Sequence, residues 1–190
     1  MGLTRIIGGT AGGRRIDTPR GTSTRPSSDR VREALFSAIE SWCGSLQGLR
    51  FLDLYAGSGA VGLEAWSRGA GVVTLVEQDR RTAALITSNA KTLGFPKANV
   101  VVGPVTATLA RPPVAPYDVV FLDPPYPTTD DEVDGNLDQL SGEWVVPGGM
   151  VVVERSSRSR PPQWPSWFSE TRERKYGETT LWYGHAAHPR

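Results

Sequence analysis

The sequence contains one cysteine, two histidines and no long run of apolar residues among its 190 residues. A single cysteine cannot form an internal disulfide, and two histidines without a cysteine or carboxylate cluster nearby form no metal-binding pattern. The longest apolar runs fall far short of the ~20 residues that a membrane-spanning helix needs. Glycines interrupt residues 8–13, where a signal peptide would need an apolar segment. We therefore expect a cytoplasmic protein with no metal site and no membrane contact.

Lysine is also scarce, because most of the 21 basic residues are arginine, and the net charge is only +1. The distribution of charge is more informative, since residues 1–32 hold seven arginines and only two aspartates. The planar guanidinium group suits contacts with phosphates and base edges. This composition favours a nucleic-acid contact near the N-terminus, although a solvated basic face is the alternative interpretation.

The chain is 38% apolar and 22% charged, which is typical of one globular domain. We interpret residues 1–22 as a basic hairpin or arm around a glycine turn, and residues 23–190 as the main domain. A helix is expected to begin after a cap at Ser27, Ser28 or Asp29 and to end near Cys43. From residue 50 onward strands alternate with helices, which predicts a parallel, doubly wound α/β sheet. The expected strands cover residues 51–54, 72–76, 99–102, 117–122, 150–153, about 167–175, and 179–183.

A glycine-rich loop follows the first of these strands, with the sequence Asp53-Leu-Tyr-Ala-Gly57-Ser-Gly59-Ala-Val-Gly62. The G-x-G-x-x-G spacing fits a dinucleotide site, and Glu77 lies about twenty residues further on. Asp53 argues against that interpretation, because its charge would repel a pyrophosphate on the following helix. The same charge would attract the ammonium and sulfonium groups of S-adenosylmethionine. Glu77 could accept hydrogen bonds from the ribose hydroxyls of this cofactor. The pattern favours this cofactor over a dinucleotide or a ligand-free turn.

The tetrapeptide Asp123-Pro124-Pro125-Tyr126 follows the strand at residues 117–122. An exocyclic amine on a base is a poor nucleophile, because its lone pair is delocalised into the ring. The Asp123 carboxylate and the Pro124 carbonyl can accept its N–H groups, and the prolines hold these acceptors stiffly. Tyr126 can stack on the extruded base. The motif therefore predicts amine methylation by positioning; a rigid proline turn is the alternative.

These motifs together resemble the RsmD family, bacterial methyltransferases that modify a guanine at N2 in small-subunit (16S) ribosomal RNA. The likeness spans nearly the whole chain. Its most specific part is the block Arg25-Pro-Ser-Ser-Asp-Arg-Val-Arg-Glu-Ala-Leu-Phe36, and the other matching segments are residues 5–9, 53–59, 76–77, 123–126 and 175–181.

The resemblance implies a seven-stranded, Rossmann-like sheet, mostly parallel, whose last strand is antiparallel. The expected cofactor-binding residues are Asp53, Tyr55, Gly57, Gly59, Glu77, Gln78 and Val105. Val105 is included because no acidic or amide residue follows the third strand, so that adenine recognition would rely on the backbone there. The expected catalytic residues are Asp123, Pro124 and Tyr126. The expected RNA contacts are Arg5, Arg14, Arg15, Arg20, Arg25 and Arg30. The expected partner is ribosomal RNA within an assembling small subunit, bound by a monomer.

Several other functions share part of this pattern. Adenine-N6 and cytosine-N4 DNA methyltransferases use related chemistry, but usually carry a target-recognition region that 190 residues scarcely accommodate. A protein glutamine methylase generally has asparagine where Asp123 stands. A non-enzymatic RNA-binding module would explain the basic arm but not the Asp53, Glu77 and Asp123 set. A nicotinamide-dependent enzyme is the remaining alternative. The residues favour the guanine-N2 enzyme.

Overall fold

The computed structural model describes residues 2–19 and 26–189, and this part of the chain contains nine strands and five helices. In chain order these elements are β1 (Gly2–Arg5), β2 (Arg15–Thr18), α1 (Pro26–Cys43), β3 (Arg50–Leu54), α2 (Ala60–Ser67), β4 (Val72–Glu77), α3 (Arg80–Thr92), β5 (Asn99–Val102), α4 (Val105–Leu109), β6 (Tyr117–Leu122), α5 (Asp130–Gln139), β7 (Val145–Ser156), β8 (Phe168–Tyr176) and β9 (Thr179–Ala186). None of the helices in these ranges is long and apolar enough to cross a membrane.

Seven of the strands form one sheet in the order β5-β4-β3-β6-β7-β9-β8. The five strands from β5 to β7 are parallel, whereas β9 runs antiparallel to both β7 and β8. The prediction of a seven-stranded, mostly parallel sheet with an antiparallel last strand is therefore confirmed. The chain order reverses between β3 and β6, and in open α/β sheets ligands bind where such a reversal occurs.

The sheet separates two apolar layers. Alternate strand residues such as Phe51 and Phe121 pack with α1, α2 and α3 on one face, whereas Leu52 and Leu122 pack with α4 and α5 on the other. This alternation follows from the period of two in a strand. Asp53 falls on the face of α2, because it lies two residues after Phe51.

The predicted basic hairpin is present as the antiparallel pair β1 and β2. Its apolar residues Ile6, Ala11 and Ile16 are buried in the same cluster as α1 and α2. The turn is fixed by Glu64 of α2, whose carboxylate accepts the backbone N–H groups of Ile7 and Gly8 at 2.8 Å each. The hairpin is thus packed onto the sheet domain rather than extended from it.

Glu64 also anchors two arginines. It is fully buried and pairs with Arg32 Nε at 3.4 Å and with Arg68 Nε at 2.9 Å. A buried carboxylate is stable only when it is paired and hydrogen-bonded. The two backbone donors and two guanidinium groups meet that condition and fasten the hairpin to α1 and α2.

Some element boundaries differ from those predicted. Helix α1 begins at Pro26, because proline is well suited to the first helical position, so Asp29 lies inside the first turn and pairs with Arg32 at 3.2 Å. Strand β7 is longer than expected, because a register irregularity beside Tyr117 accommodates the Pro-Gly-Gly segment at residues 147–149. The short helix α4 was not predicted, since five residues show no clear helical periodicity.

Candidate active site

The candidate active site lies where the carboxyl ends of β3, β4, β6 and β7 meet. Parallel pairing brings these ends to one edge of the sheet. Asp53 and Tyr55 come from the end of β3, Glu77 ends β4, and Asp123 follows β6. The sequence motifs, although far apart in the chain, are therefore brought to one place by the topology.

The glycine loop between β3 and α2 has the backbone conformation that its composition predicts. Gly57 and Gly59 have φ angles of 57° and 84°, a region that favours glycine. A Cβ at Gly59 would meet Ile86, Leu63 and Leu75 side chains at 3.0–3.3 Å, whereas one at Gly57 would meet no atom within 4 Å. A side chain at Gly59 would therefore crowd these three residues, whereas Gly57 faces open space that a ligand could fill.

Tyr55 is the one non-glycine residue with a positive φ, 60°, among the described parts of the chain. Backbone strain of this kind concentrates at functional sites. Its hydroxyl is hydrogen-bonded to Asn136 Oδ1 of α5, and burial raises the pKa of Tyr55 to about 12. The tyrosine is therefore a neutral side chain held between the loop and α5.

Asp53 is buried beneath the loop, and its Oδ2 accepts the Gly62 N–H at 2.9 Å. The pKa of Asp53 is raised to about 8, chiefly by burial and to a smaller extent by the negative charges of Asp123 and Glu77, while the Gly62 bond acts in the opposite direction. A cation beside this carboxyl would favour its ionised form. The binding of a positively charged ligand group at this carboxyl therefore stays a prediction.

Glu77 holds the loop from the neighbouring strand. Its Oε1 accepts the Gly57 N–H at 3.0 Å, and its Oε2 accepts the Asp79 N–H at 2.7 Å. Each carboxylate oxygen has two lone pairs, so both can accept a further bond from a ligand hydroxyl. Asp79 in turn caps α3 by accepting the Thr82 N–H.

The Asp123–Tyr126 turn begins directly at the end of β6. Pro124 is buried, whereas the Tyr126 side chain is fully exposed. The turn continues with the Thr128 N–H donating to the Pro125 carbonyl at 3.0 Å. Arg155 of β7 fastens its far end, because Nη2 donates to the Thr128 carbonyl at 3.3 Å and to Asp130 Oδ1 at 2.9 Å.

Glu154 of β7 is a site residue that the sequence analysis missed. Its carboxyl group is hydrogen-bonded to that of Asp123. Asp123 as a whole residue is exposed, but its carboxyl group is surrounded by protein atoms. This burial of the carboxyl group raises the pKa of Asp123 to about 6. Burial and the Asp123 charge raise the pKa of Glu154 well above its usual range. Two carboxyls this close retain one proton between them.

No motif signalled Glu154 or Arg155, because they end an apolar strand without a recognisable spacing. Only the strand register marks Glu154. Leu122 pairs with Val153, so the residues that follow them, Asp123 and Glu154, lie at the same height at the sheet edge. Once β6 and β7 are known to be neighbours, aligning their apolar runs places these carboxyls together.

The remaining predicted cofactor residues lie on the β4 and β5 side of the edge. Gln78 is exposed and lines a groove of about 660 Å³ beside Val102 and Gly103. Val105 begins α4, and its side chain is buried in the apolar cluster on the α4 and α5 face. Only the backbone of Val105 is thus left for the adenine contact that was predicted there.

The predicted RNA-binding arginines within the described residues are exposed. Arg5 lies 4.0 Å from Asp29, and Arg14 donates to the Thr92 carbonyl at 2.6 Å. Arg15 is exposed on β2 and Arg30 on α1. Arg20 and Arg25 lie outside the described residues.

Similarity to known proteins agrees with this geometry. A family model described as Conserved hypothetical protein 95 matches residues 4–185. The chain is 37% identical over 177 residues to the Ribosomal RNA small subunit methyltransferase D of Escherichia coli strain K12, covering 93% of this chain and 87% of that one. The resemblance to the RsmD family is therefore confirmed.

Solved structures agree on the fold. The yhhF protein of Escherichia coli has a TM-score of 0.86 and 31% identity, covering 99% of this chain and 100% of that one. A precorrin-6y C5,15-methyltransferase from Geobacter metallireducens has a TM-score of 0.65 and 14% identity, covering 90% and 94%. The predicted methyltransferase-type fold is confirmed.

Proposed function

The chain belongs to the Conserved hypothetical protein 95 family, and from this premise we propose that it transfers a methyl group from S-adenosylmethionine to the exocyclic N2 of a guanine in small-subunit ribosomal RNA. The observation that carries the proposal is the position of Asp123, at the same sheet edge as the glycine loop and Glu77. Such a juxtaposition brings a base amine and a methyl donor to one place. The name of the Escherichia coli relative, a methyltransferase of small-subunit ribosomal RNA, supports the substrate class.

The cofactor side of the site fits S-adenosylmethionine. The carboxyl of Asp53 suits a cationic amino-acid part, and the open space above Gly57 leaves room for it. Glu77 has lone pairs for the ribose hydroxyls, as described above. The full set that we assign to the cofactor is Asp53, Tyr55, Gly57, Gly59, Glu77, Gln78 and the Val105 backbone. S-adenosylmethionine, when bound, supplies an electrophilic methyl group on a sulfonium sulfur.

The target side is built from the turn after β6. Asp123 and the Pro124 carbonyl accept the N–H groups of the amine, which directs its lone pair towards the methyl carbon. Tyr126, whose ring is fully exposed, stacks on the extruded base. As the nitrogen–carbon bond forms, the carbon–sulfur bond breaks, and Asp123 is placed to take the proton that the nitrogen then loses. Catalysis rests mainly on positioning these groups.

The RNA-binding surface that we assign includes the hairpin and the start of α1. Arg5, Arg14, Arg15 and Arg30 are exposed cations on these elements, and Arg20 and Arg25 belong to the same stretch of sequence. Residues 1–22 would contact RNA, while residues 23–190 perform the chemistry. We further propose that the chain acts as a monomer in the cytoplasm, on ribosomal RNA within an assembling small subunit, whose shape supplies specificity that so small a protein lacks.

The proposal is tested by methyl transfer from radiolabelled S-adenosylmethionine. Small ribosomal subunits, naked ribosomal RNA and duplex DNA are prepared from cells lacking the activity, and the products are digested to nucleosides. We expect label in N2-methylguanosine from subunits or RNA. Label only in N6-methyladenine or N4-methylcytosine would instead assign a DNA methyltransferase. Tight RNA binding with no transfer would indicate a non-enzymatic RNA-binding module.

A further inference from the structure

We propose that Glu154 is a specificity-determining residue that accepts a hydrogen bond from N1–H of the target guanine, beside Asp123, which accepts from the N2 amine. The inference rests on the proposed function and deepens it, because it names the group by which guanine is distinguished from the other amine-bearing bases.

Glu154 and Asp123 occupy equivalent positions on neighbouring parallel strands. Leu122 of β6 pairs with Val153 of β7, so the residue that follows each of them stands level at the sheet edge. Neighbouring strands lie ~4.8 Å apart. Glu154 shares the parity of Val152, and Asp123 that of Phe121, so both are on the α1 face. Their carboxyl groups therefore lie side by side.

The two carboxyl groups share one hydrogen bond, which requires one proton between them. Asp53 is a charged neighbour of both carboxyl groups. Arg32 also lies near Glu154, and Arg155 lies near Asp123. A shared proton occupies one oxygen of each carboxyl group. One oxygen on each therefore stays available, and the pair presents two hydrogen-bond acceptors next to each other.

This pair of acceptors matches one base. The Watson–Crick edge of guanine offers two adjacent donors, N1–H and N2–H. Adenine offers an acceptor at N1 beside its amine, and cytosine offers an acceptor at N3 beside its amine. If a Glu154 oxygen faced one of these ring nitrogens, two acceptors would face each other and neither would receive a hydrogen bond. Buried polar groups left without hydrogen bonds discriminate strongly against a substrate. Glu154 thus favours guanine and disfavours adenine and cytosine.

The Glu154→Gln variant provides the test, because glutamine keeps the shape of the side chain and adds an amide donor. The position methylated by the unaltered protein is mapped first. Ribosomal RNA carrying either guanine or 2-aminopurine at that position is then prepared by ligation and assembled into small subunits. 2-Aminopurine keeps the N2 amine but has an acceptor at N1, so it reports on the Glu154 contact alone.

The measured quantity is the ratio of kcat/KM for guanine to that for 2-aminopurine. We expect the unaltered protein to prefer guanine, and the ratio to fall about tenfold or more in Glu154→Gln. The control is Glu173→Gln, on the exposed face of β8, which should leave the ratio and the rate unchanged. Binding of S-adenosylhomocysteine, which should stay within about threefold, checks that the cofactor site of Glu154→Gln is intact.

The outcomes separate the two proposals. An unaltered protein that methylates guanine, with a ratio unchanged by Glu154→Gln, would overturn the role of Glu154 and leave the proposed function standing. Equal loss of activity on both bases in the variant would also overturn that role, since a purely structural residue predicts that result. Absence of N2-methylguanosine with the unaltered protein would overturn the proposed function and the role of Glu154 together.

Discussion

Gly57 and Glu77 are joined by a hydrogen bond of 3.0 Å, in which the Gly57 N–H donates to Glu77 Oε1. This bond links the glycine loop after β3 to the end of the neighbouring strand β4. The second oxygen of Glu77 accepts the Asp79 N–H at the start of α3. One carboxylate therefore fixes two of the loops that surround the candidate cofactor site, which preorganises it before a ligand binds.

Replacing Glu77 with alanine should weaken cofactor binding. The variant loses the proposed acceptors for the ribose hydroxyls and the bond that fixes Gly57, so we expect the Kd for S-adenosylhomocysteine to rise about 10- to 100-fold. Isothermal titration calorimetry measures this directly. Glu143→Ala removes an exposed carboxylate elsewhere and should leave the affinity unchanged. An unaltered Kd for Glu77→Ala would remove Glu77 from the cofactor site.

Replacing Asp123 with alanine should abolish turnover while the affinity for S-adenosylhomocysteine stays within a few-fold. The reason is that Asp123 is assigned to the amine rather than to the cofactor. Single-turnover transfer to small subunits measures the chemistry, and calorimetry measures the binding. A severe loss of cofactor affinity would contradict the role that we assign to Asp123.

The pH dependence of the unaltered protein should reflect the same carboxyl group. Burial raises the pKa of Asp123 to about 6, so the carboxylate that accepts the amine protons is lost as the pH falls through about 6. An ordinary aspartate would stay ionised to about pH 4. We therefore expect kcat to fall as the pH is lowered from 7 to 5, while circular dichroism shows that the fold persists. A flat profile down to pH 5 would argue against Asp123 as the acceptor.

Most of the fold could be predicted from the sequence, because strands and helices alternate clearly and glycines mark their ends. The exceptions have physical causes. Pro147, Gly148 and Gly149 are typical of a loop, yet they lie inside β7, where an irregular register accommodates them. The strand expected at residues 179–183 continues to Ala186 as β9, and His185 packs on Trp42 with ring centroids 5.5 Å apart.

The candidate site was predictable only in part. Asp53, Glu77 and Asp123 lie at or just beyond the ends of their strands, so the rule that ligands bind at carboxyl ends located them. No motif or strand-end position identifies Glu154 and Asn136. Their importance depends on which strand packs beside the Asp123–Tyr126 turn and which helix packs beside the glycine loop. Tertiary neighbours of this kind follow from strand order, which one sequence does not specify.

Changing Arg14 and Arg15 together to glutamine should weaken RNA binding. Two phosphate-neutralising cations would be lost, so the slope of log K against log salt should become shallower by about 1 to 2. Filter binding of small-subunit RNA at several salt concentrations measures both quantities. The control, Lys97→Gln with Arg111→Gln, removes the same charge from exposed positions flanking β5 and α4. Equal effects of the two variants would assign the loss to net charge rather than to the hairpin.

The two loop glycines should respond differently to alanine. Both have positive φ angles, so each substitution carries a backbone cost of about 1–2 kcal/mol. Gly59→Ala adds a clash with Ile86, Leu63 and Leu75 and should lower the unfolding free energy further. Gly57→Ala meets no protein atom, and its methyl group would instead occupy the space assigned to the cofactor. We therefore expect Gly59→Ala to be the less stable protein in urea, and Gly57→Ala to fold well but bind S-adenosylhomocysteine more weakly. A stable Gly57→Ala protein with unchanged affinity would show that the cofactor lies elsewhere.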